Sequence, residues 1–206
     1  MMPELQTIKN EQQMNQEDGV RARTYALLGN LLARAPDAAM LDLLRGIEAA
    51  KGDGKNMAAA WATLRLAAEQ AHAEGVAEEY FNLFIGIGRG ELVPYGSWYL
   101  TGFLLEQPLA LLRNDLAALG FERQAGVHEP EDHAAALCEV MSLLIDGSDE
   151  GGLTVQRTFF QRHLAPWMGR FFADLQRAEG ARFYRAVGLV GERFLEIESQ
   201  YLVLPA

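Results

Sequence analysis

Apolar residues recur along this chain every three or four positions, in runs long enough for helices and too long for strands. After Asn15, a suitable N-cap, Val20, Thr24, Leu27, Leu28, Leu31 and Leu32 fall near the 3.6-residue repeat and predict a helix that stops before Pro36. Asp37 is placed to cap AAMLDLLRGIEAA, and the KGDGKN turn leads to Asn56 and a third helix, MAAAWATLRLAAEQAHAE. VAEEYFNLFIG keeps the helical spacing. GIGRGELVPYGS then breaks it with glycines and a proline, which reads as a hinge over residues 86–97. WYLTGFLLEQPLALLRNDLAALG resumes the repeat, with Pro108 suited to the first turn of a new helix. A further helix, starting near Pro130, carries Ala134, Leu137, Cys138, Met141, Leu144 and Ile145 on one side. Beyond GSDEGG come TVQRTFFQRHL, PWMGRFFADLQRAEG and ARFYRAVGLVGERFLEIESQYL, punctuated by Pro166 and Gly180.

No alternating Val/Ile/Thr-rich runs bounded by turn pairs are present, so the expected fold class is all-α, with about eight to ten helices. Residues 16–206 are read as one helical domain, or as two lobes joined by the Gly/Pro-rich hinge. Residues 1–15, rich in Gln, Asn and Glu, bury too little apolar surface to offset ordering and are expected to form a mobile tail.

Composition narrows the function classes. The 206 residues are 50% hydrophobic and 22% charged, which fits a chain with one ordinary core. Asp plus Glu outnumber Lys plus Arg by 28 to 18, and the net charge of −10 disfavours nucleic acid and anionic lipid while favouring basic partners. Cys138 is a single cysteine and forms no internal disulfide, so a reducing, cytoplasmic setting is expected. Neither a signal peptide nor a membrane-spanning run is legible, and stable membrane insertion is not expected.

Candidate chemistry is sparse. GIGRG follows a helical pattern and lacks the Lys-Ser/Thr of a phosphate loop, so it reads as a helix stop. His72, His128, His133 and His163 form no zinc-binding spacing, and no metal or other cofactor is expected. The densest ionisable cluster is HEPEDH. Its Glu129, Glu131, Asp132 and His133 are open to three readings: carboxylates serving a helix start, an acid/base or metal-dependent hydrolase, or a polar binding surface. In EYFNLF, Tyr80, Leu83 and Phe84 share one helix face, either as core or as an exposed stripe. PYGSWYLTG places Pro94, Tyr95, Ser97, Trp98 and Tyr99 beside the hinge, where aromatics invite a partner.

Taken in order, Tyr80-x-x-Leu83-Phe84, Pro94-x-x-Ser97-x-Tyr99 and Glu129-Pro130-x-Asp132-His133 resemble the TorD/DmsD family of redox-enzyme maturation chaperones and their NarJ-type relatives, over roughly residues 20–205. The resemblance implies a cytoplasmic, non-catalytic chaperone that holds an apo-molybdoenzyme catalytic subunit and its twin-arginine leader until the cofactor is inserted. It also implies a peptide-binding surface of Tyr80, Leu83, Phe84, Pro94, Ser97, Trp98, Tyr99, Glu129, Pro130, Glu131, Asp132 and His133. Carboxylates there would meet guanidinium groups and the aromatics would take the apolar stretch. A linker of the GIGRGELVPYGS type is compatible with a monomer or a domain-swapped homodimer. Dimethyl sulfoxide and trimethylamine N-oxide reductases, formate dehydrogenase and nitrate reductase are all compatible clients, with a slight lean to formate dehydrogenase from YGSWYLTG.

Overall fold

The computed structural model describes residues 2–47, 55–123, 126, 128–147 and 152–203; the side chains of residues 2–15 and 55–56 are outside that description. Among the described residues ten α-helices follow one another: α1 (Met2–Ala33), α2 (Ala38–Arg45), α3 (Lys55–Gln70), α4 (Ala73–Tyr80), α5 (Gly96–Thr101), α6 (Gln107–Ala118), α7 (Ala134–Asp146), α8 (Gly152–Phe159), α9 (Met168–Arg177) and α10 (Phe183–Val203), with π-helical turns at Phe81–Ile85 and Phe160–Leu164. The all-α architecture expected from the periodicity is observed. Among the described residues the one β-type pairing is an isolated antiparallel bridge between Tyr95 and His133. No described helix is long and apolar enough to cross a membrane.

Local signals explain some of the helix starts. The Asp37 carboxylate accepts the Met40 amide at 2.8 Å and caps α2, and Pro108 sits in the first turn of α6, where a missing N–H costs little. Two boundaries differ from expectation. α1 begins at Met2, so Asn15 lies inside the helix and not at its start; α7 begins at Ala134, because residues 131–133 form a turn held by distant partners. The expected KGDGKN and GSDEGG turns fall largely on residues 48–54 and 148–151, outside the described residues.

α1 packs along α7, and α10 packs against α9 and α3. Tyr25, Leu28, Leu31 and Leu32 of α1 are buried with Leu137, Cys138 and Met141 of α7, which removes their apolar surface from water. Polar bonds fix the ends of this stack. The Tyr184 hydroxyl donates to the Leu31 carbonyl at 2.9 Å and the Tyr80 hydroxyl to the Leu32 carbonyl at 3.2 Å. Glu79 accepts the amides of Arg182, Phe183 and Tyr184 and so caps α10 from α4. Arg21 of α1 donates from Nε and Nη2 to Glu198 of α10 at 2.6 and 2.9 Å, a buried bidentate pair.

After α4 the chain takes a π-helical turn, Phe81–Ile85, that the sequence spacing did not predict. Gly86 ends it at φ +61°, where a Cβ would lie 2.2 Å from the Arg89 carbonyl oxygen. The expected hinge is fastened to its surroundings. Leu92 donates its amide to Leu83 at 2.8 Å, and the Glu91 carboxylate accepts the amides of Glu179 and Gly180.

Candidate functional site

Where α1 crosses α7 the facing residues are small. A Cβ on Gly29 would come within 3.2 Å of the Ala135 carbonyl oxygen, so the two backbones approach closely only because Gly29 has none. Ala26, Gly29, Ala33, Ala135 and Ala136 leave a trough between the helices, and larger side chains from other elements wall it in. The result is a cleft of about 710 Å³. Its lining includes the aromatic Tyr80, Phe84 and Tyr95, the carboxylates of Glu129 and Glu139, His133, and Arg34 just past the end of α1, with Ile85, Pro94, Pro130 and Leu143 between them.

The aromatic wall is held in place by packing. Tyr80 and Phe84 lie 5.1 Å apart between ring centres, and both rest on Tyr184. Burial, and then the negative charge of Glu129, hold the Tyr80 hydroxyl above its ordinary pKa, so the Glu129 carboxylate is close enough to act on this aromatic residue. Glu129 accepts the Tyr95 hydroxyl and is otherwise exposed. Glu139 is exposed and has no ion-pair partner among the described residues. Both carboxylates are open to a cation.

His133 caps α7: its Nδ1 accepts the Ala135 amide at 3.1 Å, which leaves Nε2 as the protonated nitrogen of the neutral ring. Burial pushes its pKa down to about 4, so it is uncharged at neutral pH. The ring stands edge-on to Tyr95, 5.0 Å between centres. The backbones of residues 94–97 and 132–134 run side by side here, with the Ala134 amide donating to the Pro94 carbonyl and the Gly96 amide to the Asp132 carbonyl.

That pairing divides the residues singled out in the sequence. Tyr80, Phe84, Pro94, Glu129, Pro130 and His133 come together in the cleft. Leu83 does not: the π-turn carries it into the core, fully buried. Asp132 is 3% exposed and turns to the opposite side of the paired segments, where its Oδ2 accepts the Ser97 amide at 2.7 Å at the start of α5. Ser97 is buried with it. Glu131 is engaged by Arg113 at 2.9 Å and Arg123 at 3.8 Å. Burial alone would raise its pKa; the bond from Arg113, with the nearby charges of Arg113 and Arg123, outweighs it and leaves the carboxyl below its ordinary value. Tyr99 packs on Trp167 and Phe171 and donates to Asp174 at 3.1 Å, while Trp98 lies under the Arg89 guanidinium.

The hydrolase reading of HEPEDH finds no assembled machinery. Glu131, Asp132 and His133 diverge, each on its own partner, and no group of three or more His, Cys, Asp or Glu side chains among the described residues is placed to hold a metal. Sequence reasoning missed Glu139 and the α1 floor. The only available signal was the run of small residues on α1 and α7, which marks close helix approach and not a cleft.

The described residues form an all-helical chain with a cleft lined by aromatic, acidic and small side chains. Comparison with known sequences and structures gives the family. The profile described as nitrate reductase delta subunit matches residues 50–173, and the chain belongs to that family, which groups with the NarJ/TorD proteins. A chaperone protein TorD from Shewanella pealeana is 26% identical over 92% of this chain and 93% of its own length. A protein of Haemophilus influenzae assigned as the Tat proofreading chaperone DmsD is 26% identical over 62% of each chain. A crystal structure described as a redox enzyme maturation protein from Archaeoglobus fulgidus superposes with a TM-score of 0.54 at 20% identity, over 84% of this chain and 93% of that one, and shares the fold.

Proposed function

We propose that this protein is a cytoplasmic, non-catalytic maturation chaperone that holds the precursor of a molybdoenzyme by its twin-arginine leader until the cofactor is in place. The observation that carries the reading is the cleft that Tyr80, Phe84 and Ile85 line together with Glu129, His133 and Glu139. A twin-arginine leader joins a basic segment to an apolar one. The guanidinium groups would bond Glu129 and Glu139, and the apolar stretch would lie against Tyr80, Phe84 and Leu143. His133 would offer its Nε2 hydrogen to a peptide carbonyl. The names of the relatives, TorD and DmsD chaperones, support the same reading.

The client is of the dimethyl sulfoxide or trimethylamine N-oxide reductase, formate dehydrogenase or nitrate reductase type. The fastened linker at Glu91 and Leu92 favours the monomer over the swapped dimer as the working unit. Calorimetry with a synthetic leader peptide, paired arginines followed by an apolar stretch, tests the proposal. Phe84→Ser and Glu129→Gln should each weaken binding about tenfold, roughly 1.4 kcal/mol, with the helical circular dichroism spectrum retained. Unchanged affinity in both variants would overturn it.

A further inference from the structure

The helix α6 is uncharged along two opposite faces. Leu109, Leu112 and Leu116 are buried against the body of the protein. The outer face carries Gln107, Ala110, Leu111, Asn114, Ala117 and Ala118, all of them exposed and none of them charged. A helix face turned to water is ordinarily charged. These six residues recur three, four and seven positions apart, the spacing of a seam along which a second helix packs.

The link that precedes α6 continues this surface. Phe103 is 68% and Leu105 66% exposed, with Leu104 exposed between them. Leu105 holds φ +63°, a left-handed conformation uncommon outside glycine, so strained backbone is retained in a turn that puts apolar side chains into water. An apolar patch joined to an uncharged helix face marks an interaction surface. None of these residues lines the leader cleft.

We infer that this face pairs with the same face of a second copy of the chain, in a two-fold dimer of intact, unswapped chains whose α6 helices run antiparallel. The face complements itself, as an isologous contact requires. With the axis between Ala110 and Leu111, Gln107 of each copy stands opposite Asn114 of the other, and two side-chain amides form a reciprocal donor and acceptor pair. Leu111 meets the small Ala110, and Phe103 and Leu104 reach the Ala117 and Ala118 of the other copy. The exposed charges beside the seam match as well. Glu106 stands at the start of α6 and Arg113 two turns along the same edge, so reversing one helix brings opposite signs together. Each of these matches needs a partner that carries the same residues in reverse order, and a second copy supplies one.

Sedimentation equilibrium on the full chain tests the pairing. The mass should rise with concentration from that of one chain toward that of two. Added salt should tighten the dimer, because it screens the repulsion between two chains of net charge −10. Leu111→Arg sets two guanidinium groups against each other at the axis and should weaken the dimer about tenfold or more. A mass that stays at one chain across the whole range overturns the inference. So does a dimer that Leu111→Arg leaves as strong as the parent's, since that dimer is formed elsewhere or by exchanged helices.

Charge exchange at the two exposed amide positions tests the axis, at sites where folding is not at stake. Gln107→Glu with Asn114→Glu opposes like charges twice and should weaken the dimer about tenfold, whereas Gln107→Lys with Asn114→Glu opposes unlike charges and should hold it within about twofold of the parent or tighter. Equal dimer strength in the two double variants overturns the inference. Calorimetry with the twin-arginine leader should give affinities within about twofold of the parent's in all three variants, which separates a failure here from a failure of the leader cleft. A chain that stays monomeric and whose molybdoenzyme precursor binds more weakly in Leu111→Arg assigns the face to the client and overturns the inference.

Discussion

The carboxylates of this chain fall into two regions that use the same chemistry in opposite ways. Between α1 and α10, Glu198 is fully buried and spends both oxygens on the Arg21 guanidinium, which also bonds Asp18 and Gln156 and lies over the Tyr201 ring. In the cleft, Glu129 and Glu139 stand in water, Glu129 with one hydroxyl donor and Glu139 with no ion-pair partner among the described residues. A satisfied, dry carboxylate is part of the scaffold. A solvated one with spare lone pairs is available to a partner. Acidic net charge alone says nothing about which is which; burial and prior engagement decide.

The largest effect follows from breaking the dry pair. Glu198→Ala leaves a buried guanidinium with only Asp18 and Gln156, and urea unfolding should show a loss of about 3–5 kcal/mol. Replacing both partners with apolar residues, Arg21→Met with Glu198→Leu, should recover most of it, because no buried charge is then left without its partner. If the double variant is as unstable as the single one, the pair is not an independent lock and the contrast with the cleft weakens.

His133 lies between the two regimes, buried like the scaffold yet part of the cleft wall. Its folded-state pKa, about 4, is below the ordinary 6.5, so the unfolded chain binds a proton more readily. The stability it contributes is fully present above pH 6.5 and is lost as the pH falls toward about 4, in all of order 3 kcal/mol. His133→Asn keeps an acceptor for the Ala135 amide and removes the titration. Urea midpoints measured across this range should therefore fall less steeply with acidification in the variant. Equal slopes would show that His133 is solvated enough to protonate in place.

How much of this could be read from the chain depends on the range of the interaction involved. The helices, the Asp37 cap and the place of Pro108 follow from neighbours within four residues, and these were legible. The π-turn at Phe81–Ile85 was not. It keeps an apolar pattern but turns Leu83 into the core, and the segment is held by the packing of Tyr184 and by the amides of Glu91 and Leu92, which come from later in the chain. Glu131 and Asp132 looked equivalent to Glu129 in sequence. Their fates are set by Arg113, on α6, and by the Ser97 amide, on α5, through contacts that no local pattern announces. Glu139 was invisible for the converse reason: it matters only because small residues on α1 open a trough beside it.

The smallest effect is the sharpest test of the distinction between engaged and open carboxylates. Glu139→Lys places a like charge where the leader's guanidinium groups are proposed to dock, so peptide affinity should fall about tenfold at low salt, and the deficit should shrink as added salt screens the exposed charge. The urea midpoint should stay where it is, since Glu139 is exposed. Glu131→Gln, by contrast, removes a carboxylate already neutralised by Arg113 and Arg123, and leader affinity should change by less than about twofold. Were the two variants to lose affinity equally, the acidic motif would be acting as a diffuse field, and the position of each carboxylate in the cleft would no longer matter. A large loss in Glu139→Lys beside little change in Glu131→Gln would tie recognition to the carboxylates the fold leaves open.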